Sequence, residues 1–127
     1  MRKQVKFHAK VGFTLQDFYK SRYDTIEQIE RTLAQTVSKV CGGCATFRTD
    51  GWWCEDGASH SDEFTGQLHK EITINLEVSC ELPKENRTYE AIQQACKFLL
   101  NNNLDIEWVH VSRSEFTGMH FNVKEVE

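Results

Sequence analysis

The sequence predicts an α+β sandwich, with two helices packed on one face of an antiparallel sheet. Three observations point there. Segments 4–12 and 67–80 alternate apolar and polar residues, the period of half-buried strands. Segments 24–40 and 88–100 carry apolar residues at helical spacing. The types follow one another as β-α-β-β-α-β-β, the order of a ferredoxin-like sandwich. A chain of 127 residues, 39% hydrophobic and 27% charged, is one domain, 1–127, with a single core.

In segment 4–12, Val5, Phe7, Ala9 and Val11 share one face and Gln4, Lys6, His8 and Lys10 the other. Residues 13–23 read as irregular and aromatic-rich. Asp24 with Glu27 resembles a capping box that starts a helix. Ile26, Ile29, Leu33, Val37 and Val40 continue it, and Gly42-Gly43 ends it. A strand over 45–54 follows, then a polar loop over 55–66.

The strand over 67–80 puts Leu68, Ile72, Ile74, Leu76, Val78 and Cys80 on or near one side and Glu71, Thr73, Asn75, Glu77 and Ser79 on the other. It is predicted to form a hairpin with 45–54. Pro83 breaks the chain. Thr88 is the expected N-cap of the second helix, with Glu90 near its positive end. Ala91, Ile92, Ala95, Cys96, Leu99 and Leu100 form the expected buried stripe. Asn101-Asn102-Asn103 ends the helix through a left-handed residue. A strand is expected over 104–112, and Met119, Phe121 and Val123 mark a last one. Glu63-Phe64-Thr65-Gly66 recurs as Glu115-Phe116-Thr117-Gly118, which reads as two turns each closed by a positive-φ glycine.

The net charge of −4 argues against a protein that coats duplex DNA. No apolar run is long enough to span a membrane. No signal peptide precedes the first strand and the five cysteines are odd in number, so reduced thiols and the cytosol are expected. Cys41-Gly42-Gly43-Cys44 is one half of a zinc site, which Cys54, His60 or His69 would have to complete. It follows a helix, the wrong end for a low-pKa redox thiol, so a tight turn is the simpler reading. Glu55, Asp56, Asp62 and Glu63 lack the alternation of a calcium loop and read as solvated. No phosphate loop, dinucleotide fingerprint, nucleophile elbow or histidine-based catalytic set is present. Neither enzymatic activity nor a cofactor is expected.

The candidate site lies in Phe47-Arg48-Thr49-Asp50-Gly51-Trp52-Trp53-Cys54-Glu55-Asp56-Gly57. Adjacent tryptophans on a strand face opposite sides. If Trp53 enters the core, Trp52 lies on the helix-free face, where an exposed aromatic marks a ligand platform or an interface. Arg48, four residues away, shares the face of Trp52. Arg113 and Phe116 form a second arginine–aromatic pair. An arginine can hold a phosphate while a base stacks on the neighbouring ring. Arg48, Trp52, Arg113 and Phe116 are therefore the candidate ligand-binding residues. The simpler role for the arginines is a surface ion pair with Glu71 or Glu77.

Ala45-Thr46-Phe47 through Gly51-Trp52-Trp53, the Asp56-Gly57 turn, and Glu71-Ile72-Thr73-Ile74-Asn75-Leu76-Glu77-Val78 resemble small phage-encoded domains. In size and layout the chain is similar to the Thoeris anti-defence proteins. That resemblance implies a homo-oligomer that sequesters a cyclic nucleotide immune signal without cleaving it. Arginines on phosphates and aromatics beside adenine would hold the ligand near subunit interfaces. The alternative is a protein–protein inhibitor such as an anti-CRISPR, to which the negative charge is suited.

Overall fold

The computed structural model describes residues 2–54 and 68–127. Strand β1 (Arg2–Phe13) leads through a short helix α1 (Leu15–Lys20) into helix α2 (Ile26–Cys41). Strands β2 (Ala45–Cys54) and β3 (Leu68–Glu81) follow, then helix α3 (Glu85–Asn101) and strand β4 (His110–Gly118). The sheet order is β2-β3-β1-β4, and every neighbouring pair is antiparallel. The α+β class and the helix-on-sheet layering are as the sequence predicts.

The strand alternation builds the core. Val5, Phe7, Ala9, Val11 and Phe13 of β1 and Ile74, Leu76, Val78 and Cys80 of β3 are buried. They meet Ile29, Leu33 and Val37 of α2 and Ala91, Ile92, Ala95 and Leu99 of α3. The i, i+4, i+8 spacing in α2 makes one continuous apolar stripe. Leu100, expected in the α3 stripe, is 40% exposed.

Helix ends account for several shifts from the sequence reading. Residues 13–23 are not all irregular, because Thr14 and Asp17 form a capping box for α1. The Thr14 hydroxyl accepts the Asp17 N–H and the Asp17 carboxylate accepts the Thr14 N–H, both at 3.0 Å. Thr25 caps α2, one residue beyond Asp24, and accepts the Gln28 N–H at 3.2 Å. The Asp24 backbone N–H instead donates to the Gln28 side chain at 2.7 Å. Gly42, at φ 87°, donates to Ser38 and closes the helix. At the end of α3, Asn103 has φ 64°. Asn103 donates to the Leu100 carbonyl and the buried Leu104 to that of Leu99, a Schellman closure.

Thr88 is not a cap. A 3-10 turn over Leu82–Lys84 carries Pro83 and feeds directly into α3 at Glu85. Thr88 and Glu90 therefore fall inside the helix. Thr88 is fully buried and its hydroxyl has no hydrogen-bond partner among the described residues. An unsatisfied buried hydroxyl costs about 1–3 kcal/mol. Thr88→Val keeps the shape and removes the orphan group. Urea denaturation should show a gain in stability of about 1 kcal/mol; a loss would show that the hydroxyl is satisfied in solution.

The C-terminal third departs most from the sequence reading. β4 is 110–118, not 104–112, and 119–123 is not a strand. Leu104 is consumed by the closure of α3. The ladder with β1 runs from Lys10–His110 to Arg2–Gly118 and stops there, which leaves Met119, Phe121 and Val123 at least 75% exposed. The repeat Glu115–Gly118 is a strand end, not a turn, and Gly118 lacks a positive φ. Its first copy, 63–66, lies outside the described residues, as do Glu55, Asp56, His60, Asp62 and Glu63.

Candidate functional site

The register fixes which side chains share a face. On β2, Arg48 lies opposite Ile74 and Trp52 opposite Lys70, so both project to the helix side of the sheet. The expectation that Trp52 lies on the helix-free face is corrected. Trp53, opposite His69, takes that face and stacks on the histidine ring at 4.4 Å between centroids. Neither tryptophan is in the core: Trp52 is 58% and Trp53 44% exposed. The two indoles do face opposite ways, and the Lys70 ammonium sits 5.5 Å from the Trp52 ring, a cation–π contact.

The two arginines are paired, though not with Glu71 or Glu77. Arg48 donates from Nε to Glu30 of α2 at 2.6 Å, and the same carboxylate accepts from Thr46 at 3.1 Å. Arg113, opposite Phe7, also projects to the helix side and pairs with Glu85 of α3 and with Glu115, the latter at 2.8 Å. These hydrogen bonds hold the Arg113 pKa above its ordinary value and the Glu115 carboxyl below its own. Phe116, opposite Gln4, lies on the helix-free face.

The structure therefore does not bring the four candidate residues together. Arg48 and Trp52 sit on one edge strand and Arg113 on the other, with β3 and β1 between them, roughly 14 Å across. Arg48→Ala breaks an ion pair that is half-exposed at the arginine and largely buried at Glu30, whose carboxylate keeps Thr46 as a donor, and a pair that solvent reaches on one side contributes about 1 kcal/mol. Chemical denaturation should register no more than that; a larger loss would make Arg48 a structural anchor.

The helix-free face holds a different constellation. At its centre the Asn75 side chain is 2% exposed and fully engaged. It donates to Thr49 at 2.8 Å and to the Phe47 carbonyl at 3.3 Å, and its Oδ1 lies 2.8 Å from His8 Nε2. The His8 and Phe47 rings meet at 5.8 Å. This network rigidifies the middle of the face.

Beside it, Lys6, Glu77, Ser79, Ser114 and Phe116 line a hollow of about 620 Å³, walled by Gly43-Cys44-Ala45. Lys6 is 3.4 Å from Glu77, both partly exposed. One cation, two hydroxyls and an aromatic ring thus converge on a space within the range of small-ligand sites. The alternation of β1 and β3 already placed Lys6 and Ser79 on the helix-free face. Ser114 and Phe116 join them only once the β4 register is known.

The Cys41-Gly42-Gly43-Cys44 segment forms the turn from α2 to β2. Cys41 Sγ bonds the Val37 carbonyl at 2.9 Å. Burial chiefly, with the neighbouring Cys44 and Cys80 thiols, pushes the Cys41 pKa up. Among the described residues no three His, Cys, Asp or Glu side chains are grouped to hold a metal. Among them, too, no helix is long and apolar enough to cross a membrane.

No known protein family and no curated protein matches this sequence. Among solved structures, a Bacillus cereus protein related to NIF3 matches 93% of the chain at 10% identity, with a TM-score of 0.47. The chain spans only 27% of that protein. The B. subtilis GlnK–ATP complex matches 87% of the chain and is 84% covered by it, at 10% identity and TM-score 0.45. B. subtilis GlnK gives 12% identity and TM-score 0.43 over 87% of the chain and 85% of its own length.

Proposed function

We propose that this chain is a non-enzymatic binding protein that sequesters a cyclic nucleotide signal without cleaving it, as a phage anti-defence protein in the host cytoplasm would. The observation that carries the proposal is the hollow over Lys6, Ser79, Ser114 and Phe116 on the helix-free face. A base stacks on the Phe116 ring. A phosphate replaces Glu77 as the partner of Lys6 at little cost, since a surface ion pair contributes only about 0–1 kcal/mol. The serine hydroxyls complete the phosphate or ribose contacts. Of the four residues chosen from sequence, only Phe116 enters this proposed site, and Trp52 lies on the helix side of the sheet. Arg48 and Arg113 would have to leave Glu30 and Glu85 to take a role.

Isothermal titration with a panel of cyclic nucleotides tests this. Saturable binding that weakens in Phe116→Ala and Lys6→Ala supports the site. Binding lost in Arg48→Ala or Arg113→Ala, with Phe116→Ala unaffected, would return the site to the arginines.

A second reading, a protein–protein inhibitor acting by surface contact, draws on segment 119–126. Met119, Phe121, Val123 and Val126 are 61–79% exposed there, and apolar side chains in such a run suit a protein partner or a second copy of this chain. The homo-oligomer that the resemblance implies would use the same residues. Sedimentation of the chain with Phe121→Asp separates the two: a drop in mass against the unmodified protein assigns the segment to self-association, and retained mass leaves it for a partner.

A further inference from the structure

Trp53 and Trp108 line one hollow of about 680 Å³ at the end of the sheet away from Phe116; Trp52 borders it from β2, but its indole projects to the helix side against Lys70. They come from β2 and from the irregular stretch before β4, so the fold gathers them from two distant parts of the sequence. Two glycines shape the floor. Gly12 leaves room for the Glu71 carboxylate, whose Oε2 lies 2.6 Å from where a Cβ would stand. Gly51 leaves the same room, 2.7 Å, for the Thr73 hydroxyl. Thr73 is 8% exposed, and its side chain makes no hydrogen bond among the described residues. The half-buried Glu71 carboxylate makes no ion pair among them. Asp105 and Glu107 stand beside Trp108 on the wall.

We infer that this hollow is a binding site for a small organic cation, specifically an alkylated ammonium group. An ammonium with methyl substituents is attracted to indole faces by their quadrupole and loses little hydration on entering. Glu71 supplies the counter-charge that a desolvated cation requires. The Thr73 hydroxyl supplies an acceptor at the floor. The carboxylates are too dispersed for a bare metal ion, in keeping with the lack of a metal group among the described residues. Lys10 and His110 also reach the rim, and the Asp17 carboxylate there already accepts the Thr14 N–H. With Glu71, Asp105 and Glu107 present, the hollow still repels a polyphosphate. It is therefore distinct from the site over Lys6 and Phe116.

Trp53 and Trp108 line the hollow, so intrinsic fluorescence reports on it, and a Trp52→Phe background removes the signal of the indole on the other side of the sheet. The test titrates the purified chain with choline, with trimethyllysine, and with the neutral tert-butyl isostere of choline, at constant ionic strength. The inference expects a saturable change with a charged probe and at least a tenfold weaker response to the neutral isostere. Glu71→Gln should weaken the charged probe by about tenfold. Asp105→Asn, outside the sheet, should weaken it in the same direction, which keeps the test valid if Glu71→Gln folds poorly. Tighter binding of trimethyllysine means the group is presented on a long side chain; tighter binding of choline means a free small molecule. No saturable change, an equal response to the neutral isostere, or affinity unchanged in both variants overturns the inference.

Discussion

Leu33→Ala should destabilise the fold by about 2–5 kcal/mol, the cost of deleting a fully buried leucine and leaving a cavity. Leu33 is 0% exposed and sits at the middle of the Ile29–Leu33–Val37 stripe by which α2 joins the core. No neighbouring side chain can close the gap without leaving its own packing. A domain of this size should lose on the order of 10 °C in melting temperature. Leu100→Ala is the matched control. It lies on α3 and is 40% exposed, so its loss removes far less buried area and should cost about 1 kcal/mol or less. Thermal or urea denaturation measures both. Equal losses would show that the helices pack on the sheet in a different rotation from the one described.

Phe116→Ala should weaken nucleotide binding by about 1–3 kcal/mol, the contribution of one base stacked on one aromatic ring, or roughly 5- to 150-fold in affinity. The ring is 36% exposed and lies outside the core, so the fold should survive its removal. Lys6→Ala should act in the same direction through loss of a charge-assisted phosphate contact, and its effect should shrink as salt is raised, because the site is open to solvent. Arg113→Ala should leave affinity unchanged, since its guanidinium faces the helix side and is held by Glu85 and Glu115. Calorimetric titration of the three variants distinguishes a site on the helix-free face from one on the arginines. A loss confined to Arg113→Ala would place the ligand on the opposite side of the sheet.

Alternation and helical spacing carried most of the fold. The inward residues of β1 and β3 and the stripe of α2 are legible because burial on one face imposes the period directly. The last third is less legible because two effects compete with periodicity there. Leu104 looks like the first residue of a strand but serves as the apolar plug of a helix closure. Met119, Phe121 and Val123 alternate as a strand would, yet among the described residues no further strand lies beside them to pair with. Thr88 shows a cap signal overridden by context: the 3-10 turn at Pro83 starts α3 a turn earlier and buries the threonine.

The site was legible only in part. That Trp52 and Trp53 face opposite ways follows from strand geometry, and Arg48 does share the face of Trp52. Which face is which depends on the β2–β3 register, and periodicity within β2 cannot set it because most of that strand is exposed. The acceptors of the arginines, Glu30 and Glu85, are distant in sequence and carry no local signal. Lys6 was readable from the alternation of β1. Its convergence with Phe116 required the β4 register, which the shifted strand boundary hid.

The central claim is that the helix-free sheet face holds a nucleotide. Native mass spectrometry of the protein incubated with a cyclic nucleotide panel, beside Phe116→Ala treated in parallel, tests it most directly. The account predicts an added mass of one nucleotide per subunit on the unmodified protein and its loss in the variant. Bare protein under every nucleotide, or equal retention by Phe116→Ala, would contradict it.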